Sequence, residues 1–405
     1  MKLDKILIGL GLIIYSILAY FLGVHSYKLL LVFLGISVLI FLITKLHFEP
    51  FLSILIVAII LGLFLGLSPS SIIDSVEKGT GSLLGHLSLI LGLGAMFGRI
   101  LEELGAVEIT AKKMISIFGI KRIQLGLLIA GMCISFSLFF DVAFILVIPI
   151  ILAVAKELDL DKIYLALPAS IGVLTIHALF PPHPSPSIIT KTFHLNMAEV
   201  FFYGLIVAIP TAIIGGLLLT NSRIVSTKPI VQTEQNNINV LKIEKQLMSS
   251  SFAIILMLLP VILITIPTIA LSIKNLPSSL KDILTIISNP VTALIISLLI
   301  AIWKLMIVKH LRISSIAPLL SQSIKTIAVV LLINGAAGGL KQVLVDSKVT
   351  DEIVQITSGM NISPILISFF VAAILRISLG SATIAAITTL AIVEPLVPTV
   401  SYSPV

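Results

Sequence analysis

Apolar runs of near-membrane length recur along the whole chain, divided by short polar or glycine- and proline-bearing stretches. They fall at 5–23, 28–45, 50–67, 84–101, 123–155, 163–180, 197–219, 248–272, 287–308, 325–341 and 360–397. About 20 helical residues cross the hydrocarbon core, so most of these runs predict one crossing each. Two of them, 123–155 and 360–397, are too long for one straight crossing. Each is interrupted near its middle, by FFDVAF around Asp141 and by RISLGSAT from Arg376 to Thr383. Such a run predicts either two apposed helices or a re-entrant hairpin, and both return the chain to the side it came from. The pattern predicts an all-α polytopic membrane protein with about 11–13 membrane segments.

Composition points the same way. Of 405 residues, 58% are hydrophobic and 11% are charged. Soluble proteins carry about 25% charged residues, so this chain cannot cover a water-facing surface of its size. The net charge of +7 is spread over the loops with no basic block, which excludes a nucleic-acid footprint and carries topology information instead. Three loops, 99–122, 221–246 and 304–325, hold clustered Lys and Arg, whereas 23–29, 68–82 and 181–196 hold one each. With the first set inside, the N-terminus is cytoplasmic. Lysines precede the apolar run 5–23, which is long for a signal peptide and is followed by no clean cleavage site, so it predicts an additional uncleaved helix within 1–27. The long polar stretch 221–247 is a cytoplasmic linker between a first membrane half, 28–220, and a second, 248–405. The single cysteine, Cys133, excludes an intrachain disulfide and a cysteine-based metal site.

A weak repeat relates the two halves. GAMFGRILEELGAVEI from Gly94 aligns with GAAGGLKQVLVDSKVT from Gly335, and both keep G-x-x-x-G (Gly94/Gly98 and Gly335/Gly339). Each copy precedes one of the two interrupted runs. The first runs outside to inside and the second the reverse. Inverted repeats of this kind mark secondary transporters, which bind substrate near the midplane between the repeats. The glycine pairs, with Gly62/Gly66, read most simply as close-packing sites.

Few residues in these runs can carry chemistry. Asp141 is the only charge between Arg122 and Lys156; a carboxylate there costs about 2.5–3.5 kcal/mol on insertion scales. It is a candidate proton carrier or hairpin-tip anchor, or an acid bonded to amides at a helix break. HALFPPHPSP, residues 177–186, places two histidines and four prolines in a stretch with no Lys, Arg, Asp or Glu between Lys162 and Lys191. Pro181 and Pro182 cannot continue a helix, and the backbone groups they free are tolerated only under protein cover or beside a water-filled cavity. A helix resuming after Pro186 would turn its amide end toward the break, a geometry suited to an anion. His177, Pro182, His183, Ser185 and Ser187 are therefore candidate substrate ligands, with the histidines as alternative proton carriers. The competing reading is a rigid re-entry loop. Two histidines six apart, with no nearby Cys, Asp or Glu, lack the ligand count for a metal. In the second half Gly380, Ser381 and Thr383 allow close backbone approach and offer hydroxyls, against plain helix packing. Arg376 either neutralises a carboxylate substrate or snorkels to the interface.

Taken in order, LGLGAMFGRILEELGAVEITAKKM, FFDVAFILVIPI, HALFPPHPSP, FYGLIVAIPT, GGLKQVLVDS and LRISLGSATIAAIT resemble the gluconate permease family of proton-coupled sugar-acid symporters, over about Leu29 to Pro395. The resemblance implies an inner-membrane symporter for gluconate or a related small carboxylate, such as D-serine, glycerate or a hexuronate. It also implies inverted repeats with paired re-entrant hairpins, an elevator movement and a homodimer. Where the family has threonine before the first histidine and glycine in PHPGP, this chain has Ile176 and Ser185. The family pattern also continues beyond the final EPLVPTVSYSPV with a further broken segment, the repeat partner of HALFPPHPSP. No nucleotide-binding loop is present, so no cofactor is implied and an ion gradient must drive transport; the choice of protons follows the resemblance. Two rival readings are an intramembrane enzyme using Asp141 and the histidines, and a non-transporting membrane protein.

Overall fold

A computed structural model describes residues 27–222, 248–271, 273, 276–349, 352, 363–379 and 382–394. The additional helix expected at 5–23 and most of the 221–247 linker lie outside these residues. The described chain is helical throughout, with no strand among the described residues. The helices are α1 (Tyr27–Thr44), α2 (Pro50–Phe64), α3 (Pro69–Glu103), α4 (Ala106–Phe118), α5 (Ile123–Ser135), α6 (Phe140–Glu157), α7 (Lys162–Leu179), α8 (Pro184–Thr192), α9 (Met197–Thr211), α10 (Ser250–Leu271), α11 (Ser278–Ser288), α12 (Pro290–Lys309), α13 (Ile313–Asp346), α14 (Pro364–Leu379) and α15 (Ala382–Val393). A π-helical turn, Ala212–Leu218, extends α9.

Helix starts follow local chemistry. Asp161, Asn196 and Asn289 each accept a bond from the amide two residues on, and Glu49 from the amide of Leu52. Pro50 and Pro290 occupy first helical positions, where a missing N–H costs nothing. Five of the described helical stretches are long and apolar enough to cross a membrane, or seven when two bent pairs are counted. That is fewer than the expected segments because several are short or broken, among them 30–44, 50–64 and 365–377.

The structure departs from the sequence reading at two polar stretches. Residues 68–82, expected as a loop, form the start of α3. Ser68 accepts a bond from the Ser71 amide, Pro69 opens the helix, and Ile72, Ser75 and Gly79 form a buried stripe at helical spacing. The basic stretch 99–122 likewise contains the amphipathic helix α4. The first interrupted run breaks at 136–139, between α5 and α6; in the second, α14 ends at Leu379 and α15 begins at Ala382, and residues 380–381 lie outside the described residues. The element order also repeats: a 35-residue helix and a 34-residue helix each precede a broken pair.

The chain packs as two compact units, one of described residues in 1–88 and 328–405, the other of 89–327. This grouping is by packing, whereas the division at 221–247 is one of chain order. In the first unit α1 and α2 bury Leu39, Ile54, Val57 and Leu61 with Leu340 and Val343. Here Gly79 and Gly338 pass so closely that neither site has room for a Cβ against the other's backbone, and Gly335 and Gly339 face Thr80 and Val76. Gly62 meets Ile72, a close-packing role as expected. Gly66 does not: at φ +88° and with open space around its Cβ position, it is a turn residue requiring left-handed backbone. The second unit has the larger core, built by α3 to α7, α10, α12 and the start of α13 around Phe97, Leu101, Ile134 and Leu165.

Candidate functional site

The tightest helix pair in the second unit is α5 with α7. A Cβ on Gly172 would lie inside hydrogen-bonding range of the Leu128 carbonyl oxygen and 3.1 Å from Met132 N; one on Gly131 would press equally on the Ala169 carbonyl. The two backbones therefore touch at reciprocal glycines. Along the same seam the Ser135 hydroxyl donates to the Val173 carbonyl at 2.9 Å, and the Gln124 amide to that of Tyr164 at 3.2 Å.

The seam holds two helix ends together. Helix α5 stops at Ser135, and the Ser137 hydroxyl then donates to the Met257 carbonyl of α10. Helix α7 stops at Leu179. Phe180, before Pro181, is driven to extended backbone (φ −120°, ψ 135°), and the Pro181–Pro182 peptide is cis. His183 is extended for the same reason, ahead of Pro184. Helix α8 begins at Pro184, earlier than the sequence reading of a helix resuming after Pro186. Residues 181–188 are all buried.

Buried backbone of this kind needs partners, and the histidines supply some. His183 is 2% exposed, with Nε2 2.7 Å from the Ser135 carbonyl oxygen and Nδ1 3.1 Å from His177 Nδ1. A carbonyl only accepts, so His183 Nε2 carries a hydrogen. In neutral His183 Nδ1 is then a lone pair, and His177 donates to it from Nδ1. The tautomers of both rings follow from this chain of bonds. It retains its sense when one extra proton sits on the pair, whereas two would set N–H against N–H. The Phe139 ring stands edge-on to His183, centroids 5.9 Å apart.

Beside the pair lie two orphan hydroxyls. Ser185 and Ser187 are 4% and 2% exposed, and neither Oγ has a partner. Pro184 and Pro186 have no N–H and the Ser187 amide donates to the His183 carbonyl at 3.0 Å. Ser185 N–H is therefore the one main-chain donor in the first turn of α8 that a ligand can use, fewer than the bare helix-end argument supplies.

Other candidates fall elsewhere. Asp141 is the second residue of α6. Arg376, half-buried near the end of α14, and Thr383, buried in α15, belong to the first unit. Gly380 and Ser381 lie outside the described residues. No cluster of three or more His, Cys, Asp or Glu among the described residues is arranged to hold a metal ion. The sequence reading missed Ser135 and Phe139, whose roles depend on a main-chain carbonyl and on an edge-on ring.

Most of the sequence matches a family model. The GntP family permease profile covers residues 27–404. The chain belongs to the GntP permease family. A gluconate permease of Bacillus subtilis is 36% identical over 89% of this chain and 82% of the relative. The high-affinity gluconate transporter of Escherichia coli K12 is 34% identical over 91% and 84%, and the Gnt-II system L-idonate transporter of the same organism 32% over 89% and 82%. Family and relatives are permeases and transporters. This GntP permease is accordingly a multi-pass membrane transporter of a small acid, and the intramembrane-enzyme reading falls.

Proposed function

We propose that this GntP permease is a proton-coupled symporter that imports gluconate or a closely related sugar acid across the cytoplasmic membrane, N-terminus inside. The observation that carries the reading is the pairing of half-buried His177 with buried His183, anchored on the Ser135 carbonyl beside the two unpartnered serine hydroxyls. A carboxylate near Pro182–Ser187 would accept from Ser185 N–H and from the Ser185 and Ser187 hydroxyls. Its charge in a low-dielectric site favours a proton on the adjacent imidazole pair, which couples the two bindings in one step. Asp141 is the alternative proton carrier. Gly380, Ser381, Thr383 and Arg376 are the further candidate substrate ligands of this reading, and alternating access between repeats is the mechanism it implies. The relatives named for gluconate and for L-idonate support a hydroxylated acid, and a homodimer is the assembly the resemblance implies.

The test is uptake of labelled gluconate into vesicles containing the protein, with and without an inward proton gradient. Accumulation that rises with the gradient and collapses with a protonophore supports symport. Accumulation that follows a sodium gradient and ignores pH would refute proton coupling, and uptake of another acid alone would refute the substrate.

A further inference from the structure

The two helix breaks of the second unit pack into one another. Phe136, in the α5–α6 break, meets Phe180, just before the doubled proline, at 5.4 Å between ring centroids, and Phe139 stands 5.9 Å from His183. Two glycines of α3, one turn apart, receive the other side of the α5–α6 break. A Cβ on Gly98 would overlap Leu138, and one on Gly94 would lie 3.0 Å from Phe139 Cζ. The Phe139 ring is therefore wedged between a bare stretch of helix backbone and the imidazole.

A cavity of about 120 Å³ lies on the other side of that ring, among α3, the α5–α6 break and α13. It is smaller than the roughly 150 Å³ that accommodates benzene, and has room for about four waters at about 30 Å³ each. Arg99, Glu102, Gln322, Ser323 and Thr326 line it with Phe139, and Gln322 and Thr326 are exposed on α13. A lining so polar suits water. Arg99 pairs with Glu102 at 2.7 Å and with Glu103 at 2.8 Å, and Glu103 with Lys309 at 2.8 Å, so the charges on this side cancel. His177 is half-buried and is no part of the cavity lining, whereas His183 is 2% exposed. The histidine pair thus has a partly open end at His177 and a closed end at His183, where the Phe139 ring stands between it and the cavity.

We propose that Phe139 is a hydrophobic seal that keeps cavity water off the histidine pair. Water that passed the ring could replace either histidine as partner in the Nδ1···Nδ1 bond, since it both donates and accepts. The pair would then exchange protons at its closed end as well as its open one, and a carrier wet at both ends conducts protons without substrate. Phe139 acts through His183 and is a positioning residue, held in place by the notch at Gly94. The role rests on the symport reading in taking the histidine pair as the proton site.

The test is the decay of an imposed pH gradient in vesicles containing the full-length protein, with no substrate present. Phe139→Ala should dissipate the gradient several-fold faster than the wild type. Phe139→Met, apolar and flexible enough to fill the gap, should stay tight. Adding His183→Gln to Phe139→Ala should restore the slow decay. Should Phe139→Ala fold poorly, Phe139→Val keeps apolar bulk without reaching as far as the ring and should leak as well. Unchanged decay in the variants that lose the ring's reach would overturn the seal, and so would a leak that survives His183→Gln. Gradient-driven gluconate uptake by the wild type together with a tight Phe139→Ala would leave symport standing and the seal refuted. A histidine-dependent leak in a protein that accumulates no gluconate would do the reverse.

Discussion

Gly172→Ala isolates the α5–α7 seam, on which the histidine site depends. In an unobstructed helix, Gly→Ala stabilises by about 1 kcal/mol through helix propensity. Here the new methyl would overlap the Leu128 carbonyl oxygen and sit 3.1 Å from both the Leu128 carbonyl carbon and Met132 N. Those are backbone atoms, so no rotamer change relieves the overlap; α5 and α7 must part by about 1 Å to restore normal contact. Overpacking of this kind costs about 1–3 kcal/mol. Parting the helices also stretches the 2.9 Å bond from Ser135 to Val173 and the 2.7 Å contact of Ser135 with His183, each about 1 kcal/mol. The losses exceed the propensity gain, so net destabilisation of about 2–4 kcal/mol is expected. Gly92→Ala in α3 is the control, since nothing lies within 4 Å of its Cβ position, and it should be neutral or stabilising. The assay is the thermal denaturation midpoint in detergent by size-exclusion chromatography, paired with vesicle uptake. Gly172→Ala should melt several degrees lower with depressed uptake. Equal midpoints for the two variants would refute the claim that the seam is closed at the backbone.

Further substitutions probe the site itself. His177→Asn keeps a donor near Nδ1 but cannot take up a proton, so substrate exchange should persist while gradient-driven accumulation disappears; wild-type accumulation would exclude His177 as carrier. In His183→Gln the amide can still donate to the Ser135 carbonyl, so the protein should fold with coupling lost, whereas His183→Ala orphans that carbonyl and should destabilise by about 1–3 kcal/mol. Asp141→Asn should abolish pH-driven uptake without loss from the membrane if the carboxylate carries the proton; normal uptake assigns the role elsewhere. Lys309→Ala breaks a half-exposed ion pair with Glu103 and should change stability by no more than about 1 kcal/mol, measured by the same melting assay.

The breaks were legible from sequence because proline and isolated polar residues interrupt apolar runs for stereochemical reasons that hold wherever the run packs. Asp141 lies just past the break between α5 and α6, and the doubled proline at 181–182 marks the break after α7. Local polarity misled at 68–82, where averaging over Glu77, Lys78 and the serines hid a helix face of period near 3.6 through Ile72 and Gly79. The histidine contact was half visible: residues 177 and 183 were evident as a pair, but six positions across a helix end give no distance between rings. Ser135 was invisible, since any residue supplies a carbonyl and only the Gly131–Gly172 approach brings this one within reach. Arg99 read as a loop charge marking topology; that it lines a cavity is a property of neighbours, not of residue type.

A tight seam beside two helix breaks solves a problem specific to a coupled carrier. Backbone freed at a break in the membrane must be satisfied or it destabilises the fold, yet a fully satisfied break offers a substrate nothing. At 180–187 the partition is uneven. The His183 carbonyl and imidazole are occupied, one by the Ser187 amide and the other by Ser135 and His177, while two hydroxyls are left over. The occupied groups fix the imidazole rigidly, because the carbonyl that receives its N–H belongs to a helix locked at glycine contacts. The unoccupied groups are neutral, and a neutral orphan costs far less to keep than a charged one. A break partitioned in this way is stable and still carries uncommitted polar groups. A ligand that supplies acceptors without bringing negative charge would satisfy the hydroxyls but leave the histidine pair indifferent to its proton. On this reasoning coupling requires an anionic substrate, and an uncharged polyol that bound at the serines would move without a proton.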